Sequence, residues 1–385
     1  MKVFEINIPL ELGVLYFQSN FNPSIIKLDS EHYLFSFRTF SRYGPKEYTS
    51  KVNNINHPNH PWYGGPDSET YWHPGDNGFT GTYFLILRII NTIDIVTLLP
   101  NYIENAVDGR LFILPNDQIV MTSTELYPYR DIGTDRDKYR LGSTNRCQEL
   151  CELIGMYSIK LLRHRDKWGN INRDLGPICE NLATNSDRNW SLWNYNKSIY
   201  ISYWLTPKHI IFNLPEIGEK CTSRKSSSIT LLEKISNYYH KSLIFSLSTP
   251  SYPFNHGLYL GVGHVKIYVD ELDDMKQSNV GQFIDLIKTI NIPPHVLNIY
   301  YLMFLYTFNP ITLDIINISH AFYPPTTEYG VVFPCGLTKY NEDTYIISYG
   351  EADYRMKLLF IEKSEMVAML TTYITPDTYN FQLIR

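Results

Sequence analysis

The sequence predicts an all-β fold, a five-bladed β-propeller with a few peripheral helices, and three observations carry that prediction. Of 385 residues, 44% are hydrophobic, 31 are Tyr and 19 Phe, while only 19% are charged; this suits a globular chain rich in half-buried strands. A strand–turn–strand unit recurs five times, near 22–38, 108–125, 189–204, 249–264 and 331–353. Each unit also ends in polar or ionisable residues, as expected where inner strands converge on one axis and their ends build a shared funnel. A β-sandwich or two stacked β domains would not explain that last feature. The chain reads as a single domain, 1–385, with no linker that demands a second.

The units can be justified in order. The first runs from Asn22-Pro23-Ser24 to Asp29, turns at Ser30-Glu31 and returns to Arg38. The second opens on Asp108-Gly109-Arg110, turns at Pro115-Asn116-Asp117 and returns to Glu125. The third runs 189–193 and 198–204, and the fourth 249–253 and 258–264, ending in Gly261-Val262-Gly263-His264. The fifth has apolar alternation at 331–337 and 345–349 around the polar turn 339–343, the pattern of a β-hairpin. It ends in Gly350, Glu351 and Asp353, which sets acid groups on a rim that a ligand can approach.

Further strand-like runs follow each unit, at 82–87, 155–162, 209–213, 299–308 and 356–362. Between them, 43–81 is rich in Gly, Pro, His and Trp and reads as an excursion on the site face, while 126–150 and 163–187 read as charged connectors. Helices are expected over 230–239 and 270–290, the latter from Phe283, Ile284 and Ile287 at helical spacing. Both are expected on the outside of the propeller.

Charge and cysteine usage narrow the function. A net charge of −5 removes the long-range attraction that nucleic-acid or anionic-membrane binders use, so neither partner is expected. Neutral ligands fit better, and an excess of Tyr and Trp over charge suits oligosaccharides, whose C–H faces pack on aromatic rings. Five cysteines without a CxxC pair imply a reduced intracellular setting. The opening MKVFEINIPLELG carries Glu5 where a leader would be apolar, and no run of about 18 apolar residues occurs, so a cytoplasmic location is expected. A composition heavy in Ile, Asn, Tyr and Lys suggests a viral or low-GC microbial source. His57, His60 and His73, with Trp62 and Trp72, fit no standard metal spacing, so no metal is expected. No phosphate loop or nucleophile elbow appears.

The fifth unit carries a family resemblance. Val331-Val332-Phe333-Pro334-Cys335-Gly336, Asp343-Thr344-Tyr345 and Ser348-Tyr349-Gly350-Glu351-Ala352-Asp353 resemble the closing motif of glycoside hydrolase family 130, the β-mannoside phosphorylases and hydrolases. Related β-1,2-mannosyltransferases share that propeller. The resemblance implies a carbohydrate-active enzyme that cleaves or transfers β-mannosyl or similar hexosyl units. It implies Asp108 as general acid, at the place of the family's Asp-Pro-Arg, with Gly109 standing where the family has proline. Asn22, Arg38, Arg110, His264 and Asp353 correspond to substrate-binding positions, Arg188 lies on the approach to the third unit, and Glu328 matches a family glutamate.

The third unit departs from the pattern. Phosphorolytic members have a lysine on the approach and a His-Arg pair at the strand end; here stand Arg188-Asn189-Trp190 and Tyr203-Trp204, with Lys208 and His209 beyond. That departure favours hydrolysis or transfer. No cofactor is expected, although inorganic phosphate or a nucleotide sugar can enter as co-substrate. An inverting hydrolase needs a second carboxylate, for which Glu125, Glu351 and Asp353 are the candidates. The alternative is a catalytically inactive propeller that binds glycans or proteins.

Overall fold

The computed structural model describes residues 1–8, 19–41, 79–99, 103–104, 106–115, 117, 119–126, 146–154, 158–160, 189–214, 222–268, 278–287, 290, 299–352 and 355–384. The fold is mostly β, with five separate sheets and three α-helices among the described residues. The chain opens in β1 (Lys2–Glu5), whose partner comes near the other end of the sequence.

Each sheet is a nearly continuous stretch of sequence. The first comprises β2 (Ser19–Lys27), β3 (His32–Ser41), β4 (Phe79–Ile89) and β5 (Ile93–Leu98), with β6 (Ile103–Glu104) added to β4. The second comprises β7 (Ala106–Ile113), β8 (Ile119–Leu126), β9 (Arg146–Ile154) and β10 (Ser158–Lys160). The third comprises β11 (Ser191–Tyr195), β12 (Ser198–Trp204), β13 (Ile210–Leu214) and β14 (Thr222–Lys225). The fourth is the largest, with β15 (Leu243–Leu247), β16 (Tyr252–Pro253), β17 (Tyr259–Tyr268), β18 (Ile299–Phe308), β19 (Ile315–Ile318) and β20 (Ala321–Tyr323). The fifth comprises β21 (Val332–Lys339), β22 (Thr344–Glu351) and β23 (Arg355–Glu362), completed by β1 against β23.

Neighbouring sheets touch in a cycle. Both faces of the first sheet are buried, and period-2 alternation sorts its side chains between two neighbours. Ile25, Tyr33, Phe35, Phe37, Leu85 and Leu87 pack with Ile346, Met356 and Leu358 of the fifth sheet, whereas Ile26, Leu34, Phe84 and Ile86 pack with Leu111 and Met121 of the second. Phe112 and Val120 join the second sheet to Trp190, Leu192 and Ile201 of the third. Trp193 meets Tyr259 and Phe308 of the fourth, at centroid distances of 5.3 and 5.1 Å. A bridge between Tyr301 and Val331 then joins the fourth sheet to the fifth. Burying both faces explains why these strands read as apolar runs.

Several expectations need correction. Residues 146–150, expected in a charged connector, belong to β9, because Arg146–Leu126 and Cys147–Glu125 pairing continues the second sheet outward. The inner edge of the fourth sheet starts at Leu243 rather than residue 249, since β15 and β16 both pair β17 on the same side. His264 consequently lies inside β17, opposite Ser246 and Met303, and not at a strand end. The edge strands β1, β5 and β14 had no counterpart among the expected strands, nor did β24 (Phe381–Leu383), which runs parallel to β20.

Helix α1 (Leu231–Tyr238) starts at the expected place, with the Thr230 hydroxyl accepting from Glu233 N. Its Leu232 and Ile235 share a core cluster with Leu243 and Phe245 of β15. Helix α2 (Ser278–Ile287) presents Phe283 to Phe381 of β24 at 4.6 Å. Both helices thus cover the fourth sheet. A third helix, α3 (Lys363–Thr371), follows β23 directly, with reciprocal Glu362 and Glu365 caps. No helix among the described residues is long and apolar enough to cross a membrane.

Candidate functional site

The site begins with irregularities in the inner strands. In β2 the pairing with β3 shifts between Phe21 and Ser24, and in β7 the pairing with β8 shifts between Val107 and Arg110. Each shift leaves two residues unpaired: Asn22-Pro23 and Asp108-Gly109. Asn22 has φ 49° and Asp108 φ 55°, the left-handed region that Asn and Asp tolerate best among residues with a side chain. A bulge of this kind re-aims a side chain away from the alternation of its strand. Here the two bulges point their polar groups at each other: Asn22 Nδ2 donates to Asp108 Oδ1 at 2.8 Å.

A side chain holds each bulge, from another sheet in the first case and from the same strand in the second. The Pro23 carbonyl accepts from the Ser348 hydroxyl of β22 at 2.7 Å, and the Asp108 carbonyl accepts from Arg110 Nη1 at 2.8 Å. These bonds satisfy carbonyls that the strand ladder has left out. Space is equally constrained. A Cβ on Gly350 would sit 2.3 Å from Asn22 Oδ1 and 2.7 Å from Asn22 N, so the glycine lets the first bulge seat against β22. A Cβ on Gly109 would meet the Met121 sulfur at 2.5 Å. Glycine at 109 therefore suits a position crowded by the Met121 side chain, next to the carbonyl that Arg110 holds.

Arg38, at the far end of β3, lies 3.5 Å from Asp108 Oδ1 and stacks its guanidinium over Phe21 at 4.8 Å. Asp108 thus receives an amide donor and a cation from the first sheet. Arg110 is fully buried. Its Nη2 donates to Asn189 Oδ1 at 2.7 Å, its Nε donates to the Ser248 carbonyl, and its charge lies 5.7 Å from the Phe333 ring. One guanidinium therefore ties together the second, third, fourth and fifth sheets.

His264 is fully buried beside this hub. Its Nδ1 bonds the Ser248 hydroxyl at 2.7 Å, its ring stacks on Tyr301 at 5.4 Å, and Phe333 lies 4.8 Å away. Burial first, then Lys266 and Arg110, push the imidazole well below its ordinary range, so it is neutral. Its Nε2 has no hydrogen-bond partner among the described residues.

Asn22, Arg38, Asp108, Arg110 and His264, drawn from three sheets, thus form one connected cluster. Arg188 and Asp353 lie outside the described residues, as do His57, His60 and His73. No cluster with metal-ligand character occurs among the described residues. Glu351, expected on the rim, is instead fully buried. Its Oε1 accepts from the backbone of Glu328 and Tyr329 at 2.6 and 2.8 Å, and it pairs with the buried Lys357. A carboxylate enclosed by these donors is a structural anchor, which removes it from the candidates for a catalytic base. Glu328 pairs with Arg355 at 2.9 Å, and that hydrogen bond holds its carboxyl below the usual range. His209 is also interior, bonded to Ser202 and the Leu313 carbonyl at 2.8 and 3.0 Å. Asn189 and Ser248 were missed in sequence; the place of Asn189, at the head of the third unit, was the available sign.

No protein-family model matches the chain. No curated protein sequence matches it either. Solved structures do share the fold. A β-1,2-mannobiose phosphorylase from Listeria innocua, solved with β-1,2-mannobiose, is 13% identical at TM-score 0.55, covering 97% of this chain and 100% of that one. A GDP-Man-dependent mannosyltransferase from Leishmania mexicana is 8% identical at TM-score 0.52, covering 94% and 89%. A glycosyl hydrolase from Bacteroides ovatus is 10% identical at TM-score 0.50, covering 89% and 83%. At these identities the likeness is one of fold.

Proposed function

We propose that the five sheets are blades of a five-bladed β-propeller and that the protein is a carbohydrate-active enzyme. It would cleave or transfer β-mannosyl or similar hexosyl units, with Asp108 as general acid. The observation that carries this reading is the Asp108 bulge: a buried carboxyl in left-handed backbone, where inner strands of adjacent sheets meet. The cyclic contacts between sheets support the blade count, and relatives in fold that act on mannosides support the substrate class.

Glycosidic cleavage needs a proton delivered to the leaving oxygen. Asn22 bonds the Asp108 carboxyl and Arg110 its backbone carbonyl, which supports a fixed aim for a proton donor there. Arg38 supplies a planar set of donors for sugar oxygens, with its charge already beside the carboxylate. Replacing it makes a sharp test. Arg38→Met removes the cation that favours ionised Asp108, so the alkaline limb of the kcat/KM profile is expected to move to higher pH; an unmoved limb would separate Arg38 from the acid.

Product analysis decides the reaction. Release of mannose from β-1,2-mannobiose in phosphate-free buffer is expected for a hydrolase, formation of mannose 1-phosphate only with phosphate for a phosphorylase, and chain extension with a nucleotide-activated mannose for a transferase. The Arg38–Asp108 pair also favours a second reading, a glycan-binding module whose carboxylate stays paired. Sugar binding without turnover in any of the three assays would select it, and absence of both binding and turnover would remove the carbohydrate reading.

A further inference from the structure

The third sheet offers a feature that the proposed acid does not use. Asn189, just ahead of β11, has φ 89°, so the first three sheets each place an Asn or Asp in left-handed backbone in the first half of the inner strand or just ahead of it. Such backbone costs on the order of 1–3 kcal/mol in a residue with a side chain and persists where the surroundings enforce it. The enforcing partner is Arg110, whose Nη2 donates to Asn189 Oδ1 at 2.7 Å. A guanidinium only donates, so the amide orientation is set: oxygen toward Arg110, NH2 turned away. Asn189 is only half-buried, unlike the enclosed Arg110.

Trp204 closes the same end of the sheet. Ser191 pairs with Ser202 as the last rung of β11 with β12, and the pairing of β12 with β13 shifts before Trp204, so Asn189 and Trp204 both lie just beyond that rung at one end of the sheet. The indole is 36% exposed and is braced edge-on by Tyr203 at 5.4 Å. Arg38 closes the corresponding end of the first sheet, opposite Phe21. The third sheet thus replaces a cation with a neutral aromatic face.

We propose that Asn189 and Trp204 form a hexose subsite, in which the Asn189 NH2 donates to a sugar oxygen while the indole stacks on the C–H face of the ring. An amide donor beside an exposed aromatic plane matches a neutral sugar, which offers oxygen acceptors around an apolar face. Arg110 acts as a positioning residue. By holding the Asp108 carbonyl and the Asn189 side chain at once, it fixes the subsite relative to the acid. The inference rests on the carbohydrate reading above and adds the location at which a second sugar unit is held.

The test is calorimetric titration of the full chain with β-1,2-mannobiose and with mannose, alongside thermal unfolding without ligand. Asn189→Asp keeps an oxygen for Arg110 and suits left-handed backbone, but loses the donors; Trp204→Ala removes only a half-exposed ring. Each is expected to weaken disaccharide binding about tenfold, the worth of one good hydrogen bond or stacking contact, with little change in unfolding temperature. Wild-type affinity in either variant overturns the subsite while leaving the carbohydrate reading intact. A wild-type protein that binds neither sugar overturns both.

Discussion

Asp108→Asn is expected to lower turnover of a β-mannoside by about 10²–10⁴-fold, the usual worth of a positioned general acid, while leaving fold and sugar affinity close to wild type. The substitution is structurally mild. Asn occupies left-handed backbone as readily as Asp, its side-chain oxygen still accepts from Asn22 Nδ2, and the Arg110 bond to the residue 108 carbonyl is untouched. Only the transferable proton and the charge facing Arg38 disappear. The measurement is kcat at saturating substrate, paired with a thermal unfolding curve. Undiminished turnover with intact unfolding would take the acid role from Asp108.

Lys357→Met is expected to destabilise the protein by about 3–5 kcal/mol, because it leaves a buried carboxylate without its counter-charge. Glu351 is fully enclosed and Lys357 only 3% exposed, so water cannot replace the lost partner. Their pair also organises the segment before β21: Lys357 donates to the Thr326 carbonyl, and Glu351 collects the backbone of Glu328 and Tyr329. Glu351 directly follows Gly350, the glycine against which Asn22 seats, so the disturbance reaches the acid bulge through Asn22. The double variant Glu351→Gln/Lys357→Met is expected to recover much of the loss, since neither side chain then carries a buried charge. Urea unfolding midpoints of the three proteins check this. A single variant as stable as wild type would mean that the pair contributes nothing.

These two expectations separate what was legible in sequence from what was not. Hairpins were readable because alternation and turn chemistry are local: Ser30-Glu31 and Lys339 to Asp343 announce turns between apolar runs, and strands form on both sides of each. Asn22-Pro23 and Asp108-Gly109 were read as heads of strands, whereas β2 begins at Ser19 and β7 at Ala106. Their bulges were not legible, because a register shift is a relation between two strands. Glu351 shows the same limit. A carboxylate after a glycine at a strand end reads as a rim acid, yet the cation that encloses it, Lys357, comes from the next strand and carries no sign of inward direction. β1 and β24 were not foreseen, being edge strands held extended by a partner from a distant part of the chain.

Sequence alone determined where the strand–turn–strand units fall and that the chain is rich in aromatic β structure. Local backbone preference and side-chain alternation act over a few residues, and they suffice for that. Only the tertiary structure decided that Arg110 is a buried tie between four sheets rather than an open ligand, that His264 is neutral and enclosed, and that Asn189 shares an anchor with Asp108. Burial, pairing of charge and aim of a side chain depend on atoms brought from distant parts of the chain, and those atoms meet only when the sheets pack.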